Sequence, residues 1–343
     1  MSATHPHISA EKRGVLGLLT LRRPAALNAL DLGMVQALTA ALEHWQGDDG
    51  IRVVAIRGEG ERAFCAGGDI RAWVTQGREA ALAFLAAEYR LNYRIATYPK
   101  PFMALMHGVT MGGGAGLSVH ARHRVCDPSL VFAMPETNIG FIPDIGSSWF
   151  LPRCPGQAGL YLALTAGRIG AGDVLACGLA DRAVARADFA ALLERLAQGE
   201  SARAAIEAVA VRPGPAPLAA ERARIDALFA APSVEGVLER LERDGGAFAR
   251  HAAAAIRANS PTSLKLAFHL LRCGAALTLR DCLVQEYRAA AHLLERPDLT
   301  EGVRAAIIDK DRAPQWQPSA LAAVTERDIA VLTAPAGRDP EFE

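Results

Sequence analysis

The apolar pattern changes period several times along the first 160 residues. "VLGLLTL" (Val15 to Leu21) is a short apolar run that reads as a strand, and "IRVVAIRG" (Ile51 to Gly58) reads as a second strand, ending at glycine. Between them Pro24 turns the chain in "RRPAALNAL", and "MVQALTAALEHW" carries Met34, Val35, Leu38, Ala41, Leu42 and Trp45 at helical spacing. "ERAFCAGGDIRAW" reads as a loop entering a helix, and "AALAFLAAEYRLNYRIATY" as another helix. "KPFMALMHGV" reads as one strand that opens onto a glycine cluster, and "HRVCD" and "LVFAM" as short strands. This strand-strand-helix rhythm predicts an α/β fold. After about residue 160 strand-like runs disappear and Ala/Leu/Arg helices dominate, with "AVRPGPAPLAAE" as an irregular connection. In "NSPTSLKLAFHLL", Ser260 suits a helix N-cap and Pro261 the first helical position. The pattern divides the chain into an α/β catalytic core, residues 1–200, and a mainly helical region, residues 201–343, packing on it.

Composition narrows the function classes. The chain has 343 residues, enough for one large domain or two ordinary ones. Its 37 Lys and Arg balance 37 Asp and Glu, so the net charge gives no basic face for nucleic acid. The four tryptophans form no stacking run, and no apolar run approaches a membrane span. Nucleic acid and membrane are therefore not expected partners. The six cysteines are scattered without a CxxC pair, which suits reduced, buried thiols in a reducing compartment. "MSATHPHISAEKRG" has no apolar signal core or secretory cleavage pattern. Together these predict a cytoplasmic protein.

Two stretches carry candidate chemistry. "MGGGAGLSVH" (Met111 to His120) has almost no reactive side chains, and its simplest reading is a tight strand-to-helix turn. If the turn opens a helix, its free amides face outward and suit an anion or a polarised carbonyl oxygen. "CAGGDI" (Cys65 to Ile70) is a second such turn, and two turns contributing one amide each would form an oxyanion hole. Neither GxxxxGK[ST], GxGxxG nor GxSxG occurs there. Behind the glycines, "AMPETNIGFIPDIG" places Glu136 and Asp144 among apolar residues. An inward carboxylate there is desolvated and its pKa rises, toward the range useful to an acid or base near neutral pH. His120 and His123 have metal-compatible spacing but no accompanying acid-His set, so they read as ordinary surface or core residues, and no metal is expected.

Together "RPAALNAL", "AFCAGGDI", "HGVTMGGGAGL" and "MPETNIGFIPDIG" resemble the crotonase (enoyl-CoA hydratase/isomerase) superfamily. "EYRLNY", "GLSVH", "NSPTSLK", "EYR" at Glu286 to Arg288 and "EGVRAAIIDKDRAPQW" resemble its 3-hydroxyisobutyryl-CoA hydrolase branch. The resemblance spans about Arg13 to Asp328. It implies a crotonase-like spiral of ββα repeats with a C-terminal helical region, and an acyl-CoA substrate whose thioester oxygen sits between the amides of Gly68 and Gly113. It implies CoA contacts at Ala26, Leu27, Ala66, Asp69 and Ile70, an acyl-end contact at Glu88, and catalysis by Glu136 with Asp144. No cofactor is implied, coenzyme A being part of the substrate. Hydratases of the family use two glutamates, and where one of them follows the glycine cluster this chain has Gly116. The implied activity is hydrolysis of 3-hydroxyisobutyryl-CoA, a step of valine breakdown, with 3-hydroxypropionyl-CoA as a second substrate. The alternatives are an enoyl-CoA hydratase or isomerase in which Asp144 replaces the missing acid, and a non-catalytic acyl-CoA-binding protein. Ser147 and Ser148 stand where the branch often has glycine, which would narrow the acyl pocket or add a hydrogen bond. Relatives form trimers or hexamers, so a homo-oligomer is possible, although the helical tail offers cover for the surface those assemblies use.

Overall fold

The computed structural model describes residues 5–342; the first four residues of the stretch "MSATHPHISAEKRG" lie outside them. Two sheets organise the chain. The larger has seven strands in the order β1 (Ile8–Arg13), β2 (Leu16–Leu21), β3 (Val53–Gly58), β5 (Phe102–Met106), β7 (His123–Cys126), β10 (Arg182–Val184), β11 (Ala210–Val211). It is parallel from β2 to β10 and antiparallel at both ends. The smaller has the order β4 (Ala63–Cys65), β6 (Val109–Met111), β8 (Val131–Ala133), β9 (Ile169–Gly170).

Consecutive strands alternate between the sheets: β3 then β4, β5 then β6, β7 then β8. Each pair is one turn of a spiral, and the ββα rhythm of the sequence is this alternation. The apolar runs fit because the central strands are covered on both faces. Leu16, Leu18, Val53, Ala55, Met103, Leu105 and Val125 pack beneath Phe189, Leu192, Leu193 and Leu196. The alternate residues Leu19, Leu21, Val54, Ile56, Phe102, Ala104 and Met106 join the main core.

Several expected elements are redrawn. "KPFMALMHGV" is two strands in different sheets. The break falls at Gly108, whose φ of +51° and close approach to the Arg62 carbonyl exclude a β-carbon. "ERAFC" reads as loop in the sequence but contributes β4, too short at three residues to show a period. Strands also continue past residue 160 as β9, β10 and β11, of two or three residues each. The last of these lies beyond residue 200 and belongs to the larger sheet.

Four helices carry or flank the glycine turns: α1 (Leu32–Gln46), α2 (Ile70–Gln76), α3 (Arg78–Thr97) and α4 (Gly113–Val119). The later helices clasp the core. In the helix Pro261–Gly274, Ser260 is the N-cap, accepting from the Ser263 amide at 3.2 Å. "EGVRAAIIDKD" folds around Arg304, which pairs with Glu301, Asp309 and Asp311 at 2.8, 2.7 and 2.6 Å. The Ser260 hydroxyl also donates to buried Asp298 at 2.6 Å. Ser260→Ala loses the cap and leaves Asp298 short of a donor. The expected cost is about 2 kcal/mol, read as a lower urea midpoint at unchanged m-value.

Candidate active site

The site is built on the glycine edge of α4. Gly112 (φ +49°) ends the turn from β6, and Gly113 opens the helix. A β-carbon on Gly113 would lie 3.4 Å from the Gly68 nitrogen, and one on Gly67 would lie 3.4 Å from the Gly113 nitrogen. The two glycine turns therefore face one another. Neither the Gly68 nor the Gly113 N–H donates to a protein acceptor among the described residues.

Three carboxylates surround this pair. Glu88, on α3, presses against Gly113, and its Oε1 has no hydrogen-bond partner. Glu136 begins the turn Glu136–Ile139 after β8; its Oε1 lies 3.0 Å from the position of a Gly112 β-carbon, and its Oε2 is unpartnered. Asp144 accepts the Tyr89 hydroxyl on Oδ2 at 2.7 Å. All three side chains are at least nine-tenths buried, and no cation pairs with any of them among the described residues. Burial, then repulsion from Asp144, raises the pKa values of Glu88 and Glu136 well above the ordinary range. Burial lifts Asp144 to about 7, against the lowering hydrogen bond from Tyr89.

The loop after Asp144 is held under strain. Ile145 has φ +58°, a left-handed conformation costly for a β-branched residue. His120 Nε2 bonds the Ile145 carbonyl at 2.7 Å, which makes it the N–H tautomer; burial keeps the ring neutral, with a pKa lowered to about 4. Glu286 accepts from the Gly146 amide at 2.6 Å and from the Ser148 amide and hydroxyl at 2.8 and 2.6 Å. Ser147 donates to the Pro143 carbonyl at 2.5 Å. Of the two expectations for the serines, a narrowed acyl pocket or an added hydrogen bond, the structure shows hydrogen bonds, to Pro143 and to Glu286.

The expected CoA contacts form a partly exposed seam beside Gly68. The loop around Ala26 and Leu27 is laced to the loop of Ala66 and Asp69 by backbone bonds from Ala66 N to Leu27 O, Leu30 N to Gly67 O and Asp69 N to Leu30 O, at 2.8 to 3.0 Å. Ile70 begins α2 at the end of the seam. Asp69 differs from the other four: its carboxylate is engaged by Arg23 at 2.9 Å, so its side chain ties the seam together.

Tyr89, His120, Ser148 and Glu286 acquire roles here that their sequence context does not announce. Tyr89 stands next to Glu88 in "EYRLNY", and Glu286 opens the later "EYR". Their partners, however, lie 55 and about 140 residues away. Among the described residues no group of three or more His, Cys, Asp or Glu is placed to hold a metal ion, His120 and His123 included.

The fold and site together define an acyl-CoA-handling member of a known group. The Enoyl-CoA hydratase/isomerase family profile matches residues 16–332, and the chain belongs to that family. Among curated proteins it is similar to the mitochondrial 3-hydroxyisobutyryl-CoA hydrolase of Danio rerio, at 43% identity over 93% of this chain and 87% of the relative. It is similar to the human enzyme of the same name at 40% over 93% and 86%. Among solved structures it resembles a carnitinyl-CoA dehydratase from Mycobacterium thermoresistibile, with TM-score 0.94, 37% identity and 99% of each chain covered. It also resembles an enoyl-CoA hydratase from Rhodobacter sphaeroides, with TM-score 0.90, 40% identity and 98% and 100% coverage.

These relatives correct one expectation. The hydrolases are mitochondrial proteins, so the cytoplasmic reading does not stand. Reduced cysteines argue against an oxidising compartment but do not choose among reducing ones.

The acid cluster fixes the sign of a stability change. In the unfolded chain Glu88 titrates near the ordinary value of about 4.3, while the folded protein holds its proton to higher pH. The native state therefore binds more protons between the two values, and stability is lost as pH rises through the folded pKa. Glu88→Gln removes this penalty, which grows by about 1.4 kcal/mol for each tenfold difference in proton affinity between the folded and unfolded states. The variant should melt above the parent at about pH 8 and level with it near pH 4, checked by thermal unfolding at both.

Proposed function

We propose that the chain hydrolyses a short 3-hydroxyacyl-CoA thioester, 3-hydroxyisobutyryl-CoA first, as a reaction of valine breakdown. The observation that carries this reading is the set of three buried, cation-free carboxylates around two unpartnered glycine amides. The names of the curated relatives support the choice of substrate.

The Gly68 and Gly113 amides form the oxyanion hole. They polarise the thioester carbonyl and hold the oxyanion of the tetrahedral intermediate, where one lost donor costs about 3 kcal/mol. Glu136 acts at the carbonyl carbon. As nucleophile it forms a mixed anhydride and expels the CoA thiolate, which takes up a proton; water then opens the anhydride to release the acid and regenerate Glu136. As general base it takes a proton from the water that attacks directly. Asp144 Oδ2 is occupied by Tyr89, which leaves Oδ1 for the substrate hydroxyl. Glu88 contacts the acyl end. The reaction needs no cofactor, since coenzyme A leaves with the product.

A hydratase reading is kept because the two solved relatives carry dehydratase and hydratase names. Gly116 weighs against it. A β-carbon there would come 2.7 Å from Asn92 Nδ2 and 3.0 Å from the Ile145 β-carbon, so the space for a second family glutamate is filled.

The deciding assay follows free thiol from (S)-3-hydroxyisobutyryl-CoA beside loss of enoyl absorbance from crotonyl-CoA. Thiol release with crotonyl-CoA untouched is expected; hydration without thiol release overturns the reading. Glu136→Gln should lower kcat by roughly 10³-fold or more. Because Glu136 must be ionised and its pKa is raised, kcat/KM should fall with decreasing pH well before the ordinary carboxylate range is reached. A pH-rate profile flat down to the ordinary carboxylate range would contradict that.

A further inference from the structure

Asn92 lies one turn after Glu88 on α3 and is fully buried, yet among the described residues neither Nδ2 nor Oδ1 has a hydrogen-bond partner. Leaving a dry amide unpaired is costly, and buried amides in folded proteins nearly always find partners. Its position points to the missing one. The amide stands over Gly116, shoulder to shoulder with Ile145, the residue after Asp144. Gly116 is three residues along α4 from Gly113, about 4.5 Å of helix rise. That span suits an acyl chain running from a carbonyl at the Gly113 amide to an oxygen on its third carbon. Asp144 accepts when ionised. A hydroxyl that gives its proton to it still needs a donor for its own oxygen, and Asn92 Nδ2–H₂, a donor whatever the protonation of the neighbouring acids, supplies one.

We propose that Asn92 is the specificity-determining residue that recognises the 3-hydroxyl of the acyl group. Nδ2 donates to the hydroxyl oxygen while Asp144 accepts the hydroxyl proton. This rests on the thioester hydrolase reading above. A chain lacking the hydroxyl leaves the buried Asn92 amide without that partner, so recognition is enforced by the cost of the unmet hydrogen bond. The same amide occupies the space above Gly116, so one residue both closes the second-acid position and reads the substrate.

The test compares thiol release from 3-hydroxyisobutyryl-CoA and from isobutyryl-CoA, which lacks only the hydroxyl. The full-length protein is assayed beside Asn92→Leu, close in size and apolar, and Asn92→Ala. In the parent, kcat/KM should favour the hydroxy ester by at least about tenfold. In both variants that preference should shrink by about 10- to 100-fold, with isobutyryl-CoA turnover held or improved. Equal losses on both esters would make Asn92 a packing residue and overturn the inference. So would a parent enzyme that does not distinguish the esters, a measurement independent of whether any variant folds. If the parent releases thiol from neither ester, the hydrolase reading falls and takes this inference with it. Release from both with unchanged selectivity removes Asn92 alone.

Discussion

The site depends on how closely other groups approach the glycine edge of α4. Gly112 meets Glu136, Gly113 meets Glu88 and the Gly68 turn, Gly114 meets the Cys65 carbonyl, and Gly116 meets Asn92 and Ile145. A side chain at any of these would press on one of those groups. Backbone takes the place of side chain along this edge, so two amides stay open while three acids stand around them. Crowding and dryness are one constraint: the glycines bring the carboxylates together, and their burial keeps protons on them beyond the ordinary pH range.

The helical region holds the acids. The Ser260 amide donates to the Thr137 carbonyl at 3.1 Å, and Asn259 Nδ2 bonds Thr137 Oγ1 and the Leu164 carbonyl at 3.2 and 2.9 Å, fixing the turn that begins at Glu136. Glu286, from the helix Leu279–Leu293, holds the loop that carries Asp144. Both acids belong to the spiral core, yet both are oriented from residues more than a hundred positions later. The motifs "NSPTSLK" and "EYR" thus have a physical role: each is a clamp on one acid.

Such clamps are needed because the site opposes its own stability. Three buried carboxylates without a cation and a β-branched residue in the left-handed region all weigh against folding. The bonds at Ile145, Gly146 and Ser148 offset that strain locally, while the two-sided core of the larger sheet stabilises the whole. On the proposed mechanism, activity and stability therefore draw on the same residues with opposite sign.

Much of the molecule was legible in the chain. Unbroken apolar runs marked β2, β3 and β5 because strands covered on both faces have no polar period to disguise them. Ser260 and Pro261 marked their helix because capping is local chemistry. The glycine cluster, Glu136 and Asp144 stood out as residue types in an apolar setting, and the ordered motifs named the family. The strand β4, the break at Gly108 and the return of strands past residue 160 were hidden, since so short an element draws its stability from neighbours distant in sequence. The roles of Tyr89, Asn92, His120, Ser148 and Glu286 were hidden for the same reason. For the serines after "PDIG" the chain left a narrowed pocket or an added hydrogen bond open, and the partner that the Ser148 hydroxyl takes is a carboxylate about 140 positions away. Sequence by itself determined which chemical groups the protein owns and where its local turns and caps fall. Only the tertiary structure decided which of those groups meet, because burial and distance are set by long-range packing that no local pattern records.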